Sequence, residues 1–476
     1  MLFNSLVFAL FLPVVFALYW GVFNRLKAQN ALIMAASFVF YGWWDWRYLF
    51  LLIGTSLVDF LVGMALGQDR PQRQRRWLIG LSLGANLGLL GSFKYFDFFA
   101  GSLQTAFASV GITLDLPTLQ LVLPVGISFY TFQALSYTID VYRKQLRPTK
   151  DLVAFLAFIS FFPQLVAGPI ERGARLLPQM LAPRRFDPDL ASDGVRQMLW
   201  GFFKKVAIAD NCAPYVNDIY SSYVDQPPGA LMLAAVLFSF QIYCDFSGYS
   251  DIAIGCARLF GFDLMRNFAF PYFSRDVAEF WRRWHISLST WFRDNVYVPL
   301  GGSRGSRWSH VRNVLIVFLL SGLWHGANWT FVCWGLLNAL LFLPIVLRRK
   351  GPVITDIAAE GRLFPTIGTT LQILLTFSLT TLAWVLFRSA SITDAMHFIL
   401  GMFAWGHWKS FVLPELWIFG LVGVMVLAEW MQRERPHALE VSHLAWPVRQ
   451  GIYLGVFLLI FFFGKFNNSD FIYFQF

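Results

Sequence analysis

Long apolar runs separated by short basic loops recur along the whole chain and constrain its fold more than any other feature. Hydrophobic residues make up 57% of the sequence and charged residues only 14%, whereas soluble domains average roughly 45–50% apolar and about 25% charged residues. Lipid cannot hydrogen-bond an exposed backbone, so apolar runs of this length are expected to cross a bilayer as α-helices. The sequence therefore predicts an all-α polytopic membrane protein.

The basic loops orient the chain in the membrane. The net charge of +10 is spread over short loops, which is the positive-inside pattern rather than a nucleic-acid-binding patch. The clearest cytoplasmic loop is QDRPQRQRRW at residues 68–77, and residues 3–22 are expected to form a retained first span that begins outside. We predict eleven or twelve crossings in one domain over residues 1–476, with the lipid bilayer as a partner and nucleic acid excluded.

The predicted crossings follow the apolar runs. Ten are expected near residues 3–22, 30–43, 48–66, 77–92, 123–144, 230–246, 333–347, 365–387, 411–430 and 451–465. Another contains the apolar run at residues 320–331, and an outward crossing follows residues 188–208. The segment 158–176 is interrupted by two prolines and a glycine, which predicts a re-entrant or interfacial hairpin. Residues 188–208 are amphipathic, and residues 100–119 form a segment of moderate polarity that is placed outside.

One apolar run, LSGLWHGANWTF from residue 320 to 331, contains a histidine. An ionisable group at membrane depth costs at least ~2.5 kcal/mol on insertion scales for charged residues, so His325 needs a reason to be there. Helical spacing places Ser321, His325 and Asn328 on one face, with Trp324 among the apolar neighbours. A polar stripe on such a helix must face the interior of a bundle or a cavity.

A second histidine stands in FWRRWHISLSTWFRD, from residue 280 to 294. Its aromatic residues form one helical stripe, Arg282 and Arg293 lie opposite, and His285 sits on the border. This pattern predicts a helix that lies at or dips into the membrane interface. For both histidines the alternative is a packed, hydrogen-bonded ring with a structural role.

Two carboxylates near the end of the 230–246 span offer further candidates. Asp245 shares a helical face with Gln241, Gly248 is expected to interrupt the helix, and Asp251 follows. These carboxylates could bind a cation, orient a histidine or pair with a nearby arginine. Asp59, inside the third span, is either structural or part of a pathway.

Other chemistries find little support in the sequence. The four cysteines lie far apart without metal-like spacing, so no metal site is expected. The GGSRG sequence at residues 301–305 satisfies the G-x-S-x-G pattern. No buried strand precedes it, and a flexible turn is therefore the better interpretation of Ser303.

The sequence FWRRWHISLSTWFRD, together with GLWHGANWTF, YCDFSGYSDIAIG, LPVGISFYTFQ and FFPQLVAGPIER, resembles the membrane-bound O-acyltransferase (MBOAT) superfamily. It is most similar to the bacterial branch that O-acetylates polysaccharides such as alginate. The resemblance implies an MBOAT fold, with tilted, re-entrant and interfacial helices around a central funnel. It also implies a catalytic core at about residues 120–347.

The resemblance also implies roles for individual residues. His325 matches the active-site histidine and is expected to act as general base, while His285 matches the second histidine of this branch. His285 or Asn328 would orient or stabilise reacting groups, or His285 would contact the donor. Residues expected to support the site or line the substrate path are Ser321, Trp324, Asn328, Asp245, Arg282 and Arg283. The arginines, with Arg293, would attract a phosphorylated donor or an acidic carrier protein.

The implied activity is transfer of acetyl from a cytoplasmic thioester, with acetyl-CoA as the expected donor and no permanently bound cofactor. Periplasmic acetyltransferase subunits would pass the group to an exopolysaccharide, and the enzyme would lie in the bacterial inner membrane. Alternatives are acetylation of cellulose or another surface polymer, D-alanyl transfer to teichoic acid, or a transporter or channel. The absence of a repeated half-length hydropathy pattern argues against the transporter.

Overall fold

The computed structural model describes residues 1–348, 354–404, 411–466 and 471–472, and within these ranges every regular element is helical. The helices long and apolar enough to cross a membrane are Tyr48–Leu66, Pro228–Leu259, Trp329–Leu347, Ile367–Arg388 and Trp446–Phe463. Shorter apolar helices are Leu6–Val22, Ile392–Met402 and Leu416–Met431. The all-α polytopic class is confirmed, whereas the central funnel and the number of crossings stay predictions.

The chain packs as two compact units, the first comprising residues 1–194 and 253–265. Its helices are α1 (Leu6–Ala17), α2 (Leu26–Asp45), α3 (Tyr48–Leu66), α4 (Gln72–Leu90), α5 (Phe96–Ala108), α6 (Ile127–Tyr142), α7 (Leu152–Ser160), α8 (Gly173–Leu181) and the start of α9 (Pro188–Phe202), which ends in the second unit. The interpretation of residues 100–119 as a segment of moderate polarity misses α5 (Phe96–Ala108). Apolar residues recur three or four positions apart in FDFFAGSLQTAF, and this spacing favours a helix.

The predicted break between α7 and α8 is confirmed, since the chain from residue 161 to 172 is not helical although nearly all of it is buried. Gly126, directly before α6, approaches this segment with a φ of +74°. A Cβ at Gly126 would lie 2.7 Å from the carbonyl oxygen of Leu165, so only glycine fits both the conformation and the space.

Asp59 is fully buried on α3 and receives hydrogen bonds from α4. Ser82 Oγ donates to Asp59 Oδ1 over 2.5 Å, and Asn86 Nδ2 donates to Asp59 Oδ2 over 2.8 Å. Ser82 Oγ also lies 3.0 Å from the hydroxyl oxygen of Thr138 on α6. These bonds satisfy a polar group that lipid could not, and they connect three helices.

The second unit comprises residues 195–252 and 266–476. Its helices are α10 (Asp210–Ser221), α11 (Pro228–Leu259, which ends in the first unit), α12 (Val277–Arg283), α13 (Ile286–Phe292), α14 (Arg307–His325), α15 (Trp329–Leu347), α16 (Ile367–Arg388), α17 (Ile392–Met402), α18 (Leu416–Met431) and α19 (Trp446–Phe463). Residues Phe203–Ala209 form a π-helical segment directly after α9.

The prediction that Gly248 interrupts its helix is wrong, because α11 is continuous for 32 residues. Gly248 serves close packing instead. A Cβ there would lie 2.7 Å from the carbonyl oxygen of Gly201, and a Cβ on Gly201 would lie 2.6 Å from the carbonyl oxygen of Gly248. The glycine pair therefore permits a close backbone approach, with Lys204 and Lys205 directly beside it.

Candidate active site

The predicted single helix around His285 is wrong, because the chain forms two short helices with His285 at the break between them. Asp276 begins α12 by accepting a hydrogen bond from the backbone N–H of Glu279. The helix ends at Trp284, whose backbone is extended, and His285 follows with φ 44° and ψ 53°. This left-handed conformation costs a non-glycine residue about 1–3 kcal/mol, so the surrounding contacts must hold it.

Those contacts come from Asn267, a fully buried residue. Its backbone oxygen accepts from the N–H of Ile286 over 2.9 Å. Its side-chain oxygen lies 3.1 Å from His285 Nδ1 and accepts from Ser287 Oγ over 2.9 Å. Asn267 therefore fixes both the backbone and the ring at the helix break. The sequence gives no periodic signal for it, since it precedes His285 by 18 positions.

His325 is the last residue of α14, and the backbone of Gly326 is extended. Asn328 then begins α15, its side-chain oxygen accepting from the N–H of Thr330. The predicted face shared by Ser321, His325 and Asn328 is therefore wrong, because the helix stops before Asn328. The other end of the Asn328 amide donates to Ala390 O over 3.0 Å. Ser321 is buried one helical turn before His325.

Close packing of α14 on α15 sets the position of His325. A Cβ on Gly322 would lie 2.3 Å from the carbonyl oxygen of Phe331, and a Cβ on Gly335 would lie 2.4 Å from that of Phe318. Since real Cβ atoms do not come so near a backbone oxygen, the two helices approach this closely only with glycine at both positions.

The structure brings His285 and His325 together, with 6.3 Å between their ring centroids. Trp324 contacts both, at 5.7 Å from His285 and 5.1 Å from His325. Trp334 lies 5.0 Å from His325 and Phe246 lies 4.7 Å from His285. The imidazole residues are 1% and 3% exposed. The two imidazoles are therefore neighbours among buried aromatic side chains.

The charge state of His285 follows from its surroundings. The residue lies between α12 and α13, outside the candidate membrane-spanning helices. Burial lowers the pKa of His285 to about 3, because the charged ring would lose its hydration. The ring is therefore neutral around pH 7, with one nitrogen able to accept a proton.

Asp245 belongs to a separate buried ionic cluster. Lys205 Nζ lies 2.6 Å from Asp245 Oδ1 and 2.8 Å from Asp210 Oδ1, and the N–H of Ile472 donates to Asp245 Oδ2. Lys204 Nζ lies 2.7 Å from Asp251. The ion-pair partners of both carboxylates are thus lysines, and the alternative of pairing with a nearby arginine is wrong.

The arginines of α12 have protein partners as well. Arg283 Nη2 lies 2.8 Å from Glu279 Oε1, and Arg282 Nη2 donates to Ile354 O over 2.7 Å. Ser303 lies in a turn with three positive-φ glycines around it. Within the described ranges, no three metal-ligating side chains come together.

Comparison with known proteins identifies the family of this chain. Residues 143–347 match the membrane-bound O-acyltransferase family. Probable alginate O-acetylase AlgI of Pseudomonas aeruginosa is 39% identical over 432 residues, covering 90% of this chain and 80% of that protein. Its counterpart in Azotobacter vinelandii is 40% identical, covering 86% and 79%. Peptidoglycan O-acetyltransferase of Helicobacter pylori is 34% identical, covering 84% and 80%.

Apolar membrane-crossing helices, two adjacent buried imidazoles and these relatives together define a multi-pass membrane acyltransferase. The chain belongs to the membrane-bound O-acyltransferase family. The resemblance noted in the sequence is therefore confirmed.

Proposed function

We propose that this acyltransferase moves acetyl from a cytoplasmic thioester, such as acetyl-CoA, across the bacterial inner membrane for O-acetylation of an exopolysaccharide such as alginate. Periplasmic transferase subunits receive the group and pass it to the polymer. The observation that carries the proposal is the pair of buried imidazoles 6.3 Å apart. The relatives named for alginate and peptidoglycan O-acetylation support a polysaccharide as the final acceptor.

The imidazole pair suits acyl transfer to a hydroxyl. In the proposed reaction the hydroxyl oxygen bonds to the thioester carbonyl carbon while its proton passes to His325. The carbon–sulfur bond then breaks, and the departing thiolate takes that proton from His325. A positioned base typically contributes about 10²–10⁴-fold to such a step. The aromatic rings around both histidines keep out water, which would otherwise hydrolyse the thioester.

We propose that the thioester donor binds at the basic segment that contains α12 and α13. Arg283 is paired with the buried Glu279, whereas Arg293 pairs with its neighbour Asp294 and its side chain is 60% exposed. Arg293 and the exposed Arg282 would attract the phosphates of acetyl-CoA or an acidic carrier protein.

Other acceptors and acyl groups are compatible with the same site. Another surface polysaccharide as acceptor, or D-alanyl transfer to teichoic acid, would use the same imidazole pair with a different acyl group or acceptor. A transporter or channel is the alternative of a different class. Asp245, which could have marked a transport path, is instead bound to Lys205, and this favours the enzyme.

The proposal is tested by supplying radiolabelled acetyl-CoA to protein in vesicles, with the candidate periplasmic subunit present inside or absent. Label should appear on the internal subunit with wild-type protein and fall by at least about 10³-fold with His325→Ala. Equal transfer by both proteins would reject His325 as the base. A solute that crosses the vesicles without any transfer of label would favour the transporter.

A further inference from the structure

The hydrogen bonds around Asn267 determine which nitrogen of His285 is basic. The amide has two ends that differ in chemistry, because the oxygen only accepts hydrogen bonds and the nitrogen only donates them. One end of the amide lies 3.3 Å from the backbone nitrogen of Ser287. A backbone N–H only donates, so this end must be the oxygen.

The opposite end of the amide agrees with that orientation. Asn267 Nδ2 lies 3.1 Å from Ser250 Oγ on α11, and a hydroxyl oxygen can accept a hydrogen bond. Both Asn267 and Ser250 are buried. Turning the amide over would place two donors against each other at Ser287 N, at a desolvation cost of about 1–3 kcal/mol for an unsatisfied buried group.

With the amide oriented in this way, His285 Nδ1 faces an oxygen at 3.1 Å. We infer that Asn267 is a positioning residue that holds His285 in the tautomer with hydrogen on Nδ1 and so makes Nε2 the proton acceptor of the ring. A neutral imidazole carries one hydrogen, so a bond donated from Nδ1 leaves the lone pair on Nε2.

This assignment narrows the role of His285 in acyl transfer, and that consequence rests on the proposed function. A neutral ring with its hydrogen held by Asn267 has none to donate from Nε2. It therefore acts in the reaction as an acceptor of a hydrogen bond or a proton, and it does not stabilise the developing oxyanion by donation. The left-handed backbone of His285 serves the same arrangement, because Asn267 O accepts from Ile286 N–H immediately after it.

The tautomer is measured directly by nitrogen NMR on full-length protein labelled at histidine nitrogens, in lipid vesicles at pH 7. The His285 signals are assigned by their loss in His285→Gln. Wild-type protein should show Nδ1 protonated and Nε2 unprotonated. A protonated Nε2 in wild type, or an unchanged tautomer in Asn267→Leu, would overturn the inference.

Two variants separate positioning from folding. Asn267→Asp keeps the acceptor oxygen and adds a negative charge, so Nδ1 should stay protonated while the His285 pKa rises. If catalysis needs the neutral His285 ring, the acid limb of the pH–rate profile of Asn267→Asp moves to higher pH. Asn313→Leu removes another buried asparagine of the same unit, whose amide nitrogen donates to Leu300 O and Gly302 O. This control should leave the His285 tautomer unchanged, and a tautomer change there would reject a specific role for Asn267.

Activity then distinguishes this inference from the proposed function. Asn267→Leu should lower kcat by about 10–100-fold, the usual effect of losing a partner that orients a functional histidine, with KM little changed. If NMR gives the expected tautomer and His285→Gln keeps full activity, the inference stands and the proposed role of His285 fails. If the tautomer is wrong while His285→Gln and His325→Ala are inactive, the proposed function stands and the inference fails.

Discussion

The two histidines of the site are held in different ways. His285 lies at a helix break in a left-handed conformation, and Asn267 bonds to its ring and to the backbone beside it. His325 ends a regular helix whose position is set by glycine-mediated contact between α14 and α15. Hydrogen bonds therefore orient the first ring, and helix packing positions the second.

This difference predicts how each ring tolerates change around it. A hydrogen bond fixes which nitrogen carries the proton, so losing it alters the chemistry of a ring that has barely moved. Packing fixes where a ring lies, so overcrowding displaces the ring without changing its chemistry. Changes around His285 should therefore alter the pH profile as well as the rate, whereas changes around His325 should alter the rate alone.

The largest effect is expected from removing the imidazole rings themselves. The losses of activity in the two single variants should not be additive in the double variant. His325→Ala should reduce acetyl transfer by at least about 10³-fold and His285→Ala by about 10²-fold, since both act on one proton transfer. The double variant should be no slower than His325→Ala alone, as for residues that work as a unit. Single-turnover rates in vesicles measure all three. Strictly additive losses would show that the rings act in separate steps.

The sequence located the helices that are long and apolar enough to cross a membrane and both histidines, but not how the histidines are held. The span at residues 48–66 matches α3, because its apolar run ends abruptly in polar residues. His325 and His285 were found from an ionisable group in an apolar run and from recognisable motifs. Asn267 was missed because its bond to His285 joins positions far apart in the chain, and no local pattern reports such a contact.

Two further errors differ in their causes. Helical spacing continues unbroken from residue 280 to 292, so nothing in the period reveals the break at His285, which depends on the contacts with Asn267. Asn328 was placed on the wrong helix although a signal was available. Gly326 followed by an asparagine before an apolar run is typical of one helix ending and the next being capped.

A moderate effect is expected from crowding the packing that positions His325. Gly335→Ala would place a Cβ 2.4 Å from Phe318 O, which should separate α14 from α15 and cost about 1–3 kcal/mol. We expect roughly a tenfold lower kcat without a shift of the pH profile. Gly420→Ala is the matched control, because a Cβ there meets nothing within 4 Å. Thermal unfolding and pH–rate profiles are measured for both Gly335→Ala and Gly420→Ala. A shifted profile in Gly335→Ala would contradict the division between the two rings.

The smallest effect is expected at Asn328, where a helix-capping role and a catalytic role of the side-chain amide predict opposite results. Its side chain accepts from Thr330 N–H at the start of α15. Asn328→Ala should therefore lower stability by about 0.5–2 kcal/mol and reduce activity less than tenfold. Asn328→Ser keeps an oxygen that can cap the helix but has no amide to stabilise an oxyanion. Near-normal activity and melting temperature in Asn328→Ser would support the cap. A stable Asn328→Ser protein that had lost its activity would instead return Asn328 to the reaction and make it a third member of the site beside the two imidazoles.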